Sequence, residues 1–80
     1  MKLTLKHPIT TGTGETLTEL TLRRPTRGDL KAADKFSKHE AEQEDMLFSR
    51  MTGLAIEDLD LLDLADNKAL GDAFRDMVGN

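Results

Sequence analysis

Leu3 and Leu5 alternate with Lys2, Thr4 and Lys6, the two-residue period of a half-buried strand, and predict a strand over residues 2–6. Pro8 cannot donate to a ladder and belongs at a strand end or edge, and the Thr10-Thr11-Gly12-Thr13-Gly14 run that follows reads as a hairpin loop. The Thr- and Leu-rich stretch over residues 16–23 is the return strand, with Leu20 and Leu22 on one face. Leu17 has the wrong parity for that face. Either a bulge lies between Leu17 and Leu20, or Leu17 covers the other side near the loop.

After Pro25 the period changes. Thr26 with Asp29 three residues later is a capping-box variant with an acid one methylene shorter than usual, and it opens a helix over about 27–37. Leu30, Ala33 and Phe36 or nearby Ala32 are its expected inward stripe. A second helix is expected over about 39–52, with Glu40, Glu42 and Glu44 near its positive end and Gly53 as a left-handed stop. Leu47, Phe48, Met51 and Leu54 share one of its faces. Ile56, Leu59, Leu61 and Leu62 alternate with acids in a short helical turn and connector. Asp63 and Asp66 resemble a cap and a third-position acid for a last helix over about 64–78, ended by Gly79. Leu70, Ala73, Phe74, Met77 and Val78 form its stripe, and Gly71 within it suggests close approach of a neighbour.

The expected fold is therefore α+β: an N-terminal two-stranded antiparallel hairpin (1–24) packed on three to four short helices (25–80), in a single domain over 1–80. A two-stranded ribbon is marginal alone, so one face must pack on the helices. Hydrophobic residues make up 38% of the 80, with three Phe and no Trp or Tyr, so the core must be built from Leu, Met and Ala. With no Cys there is no disulfide framework, and the alternating N-terminal pattern lacks the apolar run of a signal peptide or membrane span. The expected compartment is the cytoplasm, with no membrane partner.

The net charge of −4 hides an asymmetry. Residues 1–38 hold eight Lys/Arg against four Asp/Glu, and residues 39–80 hold three against eleven, giving +4 and −8. Such polarity is able to clamp the two halves together, align copies head to tail, or present two surfaces to different partners.

The parts for catalysis are thin. His7 beside Pro8 and His39 at a helix start read as solvated terminus residues, and the carboxylates sit at helix starts and on acidic faces. From Asp58 the calcium-loop pattern fails at Leu62 and Asp63, where a ligand and a Gly are required. Gly12-Thr13-Gly14 lacks the second half of a phosphate-binding fingerprint and precedes a strand. No catalytic residue, metal site or cofactor is expected. The basic residues Arg23, Arg24, Arg27, Lys31, Lys35 and Lys38 are the best argument for nucleic acid and support an alternative, a small nucleic-acid-binding or regulatory adaptor. They lack interleaved stacking aromatics, which disfavours that alternative.

The run Leu20-Thr21-Leu22-Arg23-Arg24-Pro25-Thr26, then Gly28-Asp29-Leu30, then Met51-Thr52-Gly53-Leu54, the Leu- and Asp-rich stretch to Asp66 and Phe74 near the end form an ordered set. In order and spacing, over roughly residues 15–78, it resembles the small tail assembly chaperones of Mu-like and related contractile-tailed bacteriophages. The resemblance implies a non-catalytic protein of the bacterial host cytoplasm that binds the tape measure protein and keeps it soluble while tail tube subunits polymerise. It also implies absence from the finished virion and, in many phages, a frameshifted longer form that recruits tube protein. Such a client is helical, and an amphipathic helix docks in an apolar groove. The second and last helices are the expected walls of that groove, with Phe48, Met51, Leu54, Phe74 and Met77 lining or underlying it. Met46, Met51 and Met77 would add the adaptability of thioethers.

Overall fold

The computed structural model describes Met1–Gly79; Asn80, the last residue of the expected domain, lies outside the described residues. Two antiparallel strands, β1 (Lys2–Thr10) and β2 (Thr16–Thr21), precede four helices, α1 (Arg27–Phe36), α2 (Glu40–Thr52), α3 (Ile56–Leu59) and α4 (Leu64–Gly79). The α+β arrangement matches the hydrophobic pattern.

The hairpin differs from its sequence reading in the length of both strands, since β1 extends to Thr10 and β2 ends at Thr21 instead of at residue 23. Leu3 pairs with Leu20 and Ile9 with Leu17, and between these pairs Leu5–Pro8 stand opposite Thr18 alone. β1 thus runs on to Thr10, and the irregularity demanded by the parity of Leu17 falls on β2 between Leu17 and Glu19, within the expected Leu17–Leu20 stretch, with its extra residues on β1. The reason is where the backbone donors go. Pro8 has no N–H, and the amides of Lys6 and His7 leave the ladder to donate to the Asp66 carboxylate, at 2.8 Å to Oδ1 and 2.9 Å to Oδ2. Asp66 is buried. It was expected to serve its own helix start, and it holds the hairpin to α4 instead. Those two amides, the Lys6 one foremost, keep its carboxyl below the usual range against the opposing pull of burial.

At the hairpin tip the Thr11 N–H donates to the Glu15 carbonyl at 2.8 Å, and Gly14 takes φ 87°, a conformation that favours glycine. The Gly12 amide donates to Asp58 Oδ1 at 2.9 Å, fastening the tip to α3. At the other end the Arg23 amide donates to the Met51 carbonyl at 3.1 Å.

One hydrophobic cluster joins the hairpin to the helices: Leu5, Ile9, Leu20 and Leu22 from the strands and the residue after them, Phe48 and Met51 from α2, Leu59 from α3, and Leu70, Ala73 and Met77 from α4. Phe48 meets Phe74 edge to face with ring centroids 5.9 Å apart, an arrangement that contributes about 0.5–1.5 kcal/mol beyond area burial. Gly53 ends α2 at φ 75° as expected, its N–H donating to the Ser49 carbonyl. Gly71 marks no neighbouring element, since a Cβ there would meet only the Arg75 side chain of its own helix. Val78, read as part of the inward stripe, is 62% exposed, and Gly79 is the final described residue of α4 rather than a stop outside it.

α1 departs furthest from its expected face. Leu30 is 62% and Phe36 47% exposed, whereas Asp29 and Ala33, one turn apart, are buried. The inward stripe is rotated because a carboxylate occupies its leading position. Asp29 receives Arg23 in bidentate geometry (Nη1 to Oδ2 2.7 Å, Nη2 to Oδ1 2.6 Å), Arg50 Nε on Oδ1 at 2.7 Å, and the Thr26 amide on Oδ2 at 2.7 Å. The last contact is the capping box's acidic arm. Arg23 most of all, then Arg50 and the Thr26 amide, hold the Asp29 carboxyl far below the usual range although burial pushes it up.

Removing this carboxylate leaves two guanidiniums without their anion. Both are roughly half in water and can be rehydrated, so Asp29→Ala is expected to cost about 3 kcal/mol at neutral pH, the low end for a broken buried ion pair. The folded pKa lies below the unfolded value of about 3.9, so this stabilisation is complete above about pH 5 and disappears as pH falls through the acid range. Urea unfolding of wild type and variant from neutral to acid pH checks both points: the gap should narrow on acidification.

Candidate functional site

The five side chains expected to form a groove, Phe48, Met51, Leu54, Phe74 and Met77, do come together in one cluster. Phe48, Met51 and Met77 are buried, and Leu54 and Phe74 are half-buried. Three of the five therefore underlie the surface, and a partner meets other atoms. Met46 is half-buried.

Those other atoms line a furrow over the junction of α1, α2 and the end of α4. One part, about 290 Å³, is walled by Pro25, Thr26, Arg27, Leu30, Leu47, Phe74 and Val78. The adjoining part, about 360 Å³, shares Leu30 and Leu47 and adds Lys31, Ala33, Asp34 and Gln43. Leu30, Leu47 and Val78 look from their spacing like core positions. Turning α1 on Asp29 brings Leu30 to the rim, and Leu47 remains half-buried between it and the core. The signal for this outcome was Asp29 at the leading inward position of an otherwise weakly apolar helix.

The basic face divides into two parts. Arg23 is held by Asp29, and Arg24 Nη2 donates to the Met77 carbonyl at 2.9 Å near the end of α4, where cations are favoured. Both of these arginines are thus engaged within the chain. Arg27, Lys31 and Lys35, four residues apart along α1, are exposed and make no ion pair among the described residues. Arg27 and Lys31 line the margin of the furrow. Lys38 pairs with Asp34 at 3.5 Å.

Among the described residues no Lys or Arg of the first half forms an ion pair with an Asp or Glu of the second, and of the first half's basic side chains only His7 lies near such a carboxylate, its Nε2 3.9 Å from Asp63. The strong pair between the two halves, Arg50 with Asp29, takes its cation from the acidic half and its anion from the basic half. Asp66 and Asp58 bind backbone amides of the hairpin. The cations beside the furrow are left for something else.

No group of three or more His, Asp or Glu side chains among the described residues is arranged to hold a metal ion. No helix among them is long and apolar enough to cross a membrane. What the arrangement offers is an open apolar furrow with a cationic margin.

Its lining and its foundation should respond differently to the same change. Met51→Asp places a charge in the core and is expected to abolish cooperative unfolding, whereas Leu30→Asp should leave stability within about 0.5 kcal/mol. Thermal unfolding followed by circular dichroism separates them.

A family model described as "Phage tail assembly chaperone proteins, E, or 41 or 14" matches residues 2–79. No curated protein and no solved structure matches the chain.

Proposed function

The chain belongs to the phage tail assembly chaperone family, and from that premise we propose that it binds the tape measure protein through the furrow and keeps it soluble during tail tube assembly. Support comes chiefly from the open apolar lining of Leu30, Leu47, Phe74 and Val78 beside Arg27 and Lys31, which make no ion pair among the described residues. A tape measure protein is long and helical and needs cover before the tube encloses it. An amphipathic segment of such a helix would lay its apolar side along the furrow, with acidic residues towards Arg27, Lys31 and Lys35. The activity is binding, without a catalytic step, in the cytoplasm of the bacterial host. Recruitment of tube protein through a frameshifted longer form would fit the same role.

Two measurements test this reading. Leu30→Asp and Val78→Asp are each expected to lower co-purification of tape measure fragments about tenfold or more while the chain stays folded. Undiminished capture by both would rule the furrow out. Mass spectrometry of purified particles should detect the tape measure protein and not this chain. Stoichiometric amounts of the chain would make it a virion component instead.

A further inference from the structure

The furrow is divided. Leu30 from α1 and Leu47 from α2 line both of its parts and so stand between them. Along α1 the first compartment is walled by Thr26, Arg27 and Leu30, and the second by Leu30, Lys31, Ala33 and Asp34. The second is therefore displaced from the first by about one helical turn, or about 6 Å along the axis of α1. Neither compartment holds a helix whole. One turn of helix with its side chains is about 10–12 Å across and about 5.4 Å long, about 420–610 Å³ in all. The compartments measure about 290 and 360 Å³. Side chains enter, and the body of a bound helix stays above the divider.

A helix lying along α1 carries residues i and i+4 on one face, also about 6 Å apart along its axis, so successive side chains of that column meet successive compartments. The charges repeat at the same interval. Arg27 borders the first compartment and Lys31 the second, they are themselves four positions apart, and neither makes an ion pair among the described residues. The remaining polar groups of the second rim are engaged: Gln43 Nε2 donates to the Ser37 carbonyl at 2.9 Å, and Asp34 pairs with Lys38 at 3.5 Å.

We propose that the furrow recognises a two-anchor helical motif in its protein partner. Large apolar side chains at i and i+4 fill one compartment each, and carboxylates in the neighbouring column, at i+1 and i+5, face Arg27 and Lys31. The motif rests on the furrow being the client site, as read above, and adds the register in which the client is held. A helix of the same composition with its apolar residues at i and i+2 turns them about 200° apart and seats only one.

Three Ala-based peptides of about 16 residues, with blocked ends and a fluorophore, read the register by anisotropy against the full chain at about 0.05 M salt. The first carries Leu at i and i+4 and Glu at i+1 and i+5. The second moves one Leu to i+2, and the third has Lys in place of Glu. Circular dichroism matches their helicity. The first should bind with a Kd of about 0.1 mM, and the other two about tenfold more weakly. The chain carrying both Arg27→Glu and Lys31→Glu should reverse the charge preference and take the Lys peptide over the Glu peptide. Equal binding of the first two peptides overturns the motif, as does no binding of the first up to about 1 mM, or an unreversed preference in the charge-swapped chain.

Tape measure fragments distinguish this outcome from the client reading. If fragments bind and lose affinity with Leu30→Asp while the first two peptides bind alike, the motif fails and the client reading stands. If the peptides rank as described while no fragment binds, the motif stands and the client reading fails.

Discussion

The Asp29 carboxylate, fully buried with a guanidinium from each side, sets the geometry on which the surface depends. Arg23 reaches it from the segment leaving β2, Arg50 from the last turn of α2, and the Thr26 amide from the start of α1. Three elements converge on one anion. α1 buries little apolar area of its own, Ala33 being its one buried hydrophobic residue, so its placement relies on this charged contact more than on packing. Buried ion pairs are poor sources of net stability, because the desolvation of the charges offsets much of their attraction. What the pair supplies here is direction. It fixes the rotation of α1 about its axis, and that rotation decides which side chains face the furrow.

Asp66 does for the hairpin what Asp29 does for α1. A two-stranded ribbon interrupted at Pro8 has amides without ladder partners, and unpaired amides near a core are costly. The Asp66 carboxylate accepts two of them, and Asp58 accepts a third at the hairpin tip. The acidic half of the chain therefore holds the first half largely through its backbone. Basic side chains that might have neutralised those acids stay at the surface, and the strong electrostatic tie between the halves runs against the overall charge split.

Much of this fold could be read from the chain because its elements follow local rules. The alternation at Leu3 and Leu5, the Thr26–Asp29 cap and the left-handed Gly53 each act within a few residues, and each appears where the pattern put it. The misread features depend on contacts across the sequence. The extra residues on β1 require Asp66, sixty positions away from Lys6. The exposure of Leu30 requires Arg50, a residue with no distinguishing local pattern. A periodicity argument assigns apolar residues to the inside by default, so it placed Leu30, Phe36 and Val78 there. It also grouped Phe48, Met51 and Met77 correctly as neighbours, without revealing that they form the floor beneath the furrow.

The two buried acids explain why leucines are left outside. On α1 the leading inward position belongs to Asp29, and Leu30, one residue on and therefore about 100° around the helix, is carried to the rim. On α4, Asp66 continues the stripe of Leu70, Ala73 and Met77, and Leu64, two residues earlier, faces nearly the opposite way. Each carboxylate that anchors an element thus displaces a large apolar side chain to the surface beside it. A small chain cannot enclose all of its apolar area in any case. Leu30 and Val78 are part of that remainder at the furrow, and Leu61 and Leu64 are part of it at the start of α4. Polar anchoring and apolar exposure are consequences of the same choice of residues, so the rigidity of the scaffold and its capacity to bind cannot be altered independently at Asp29 or Asp66.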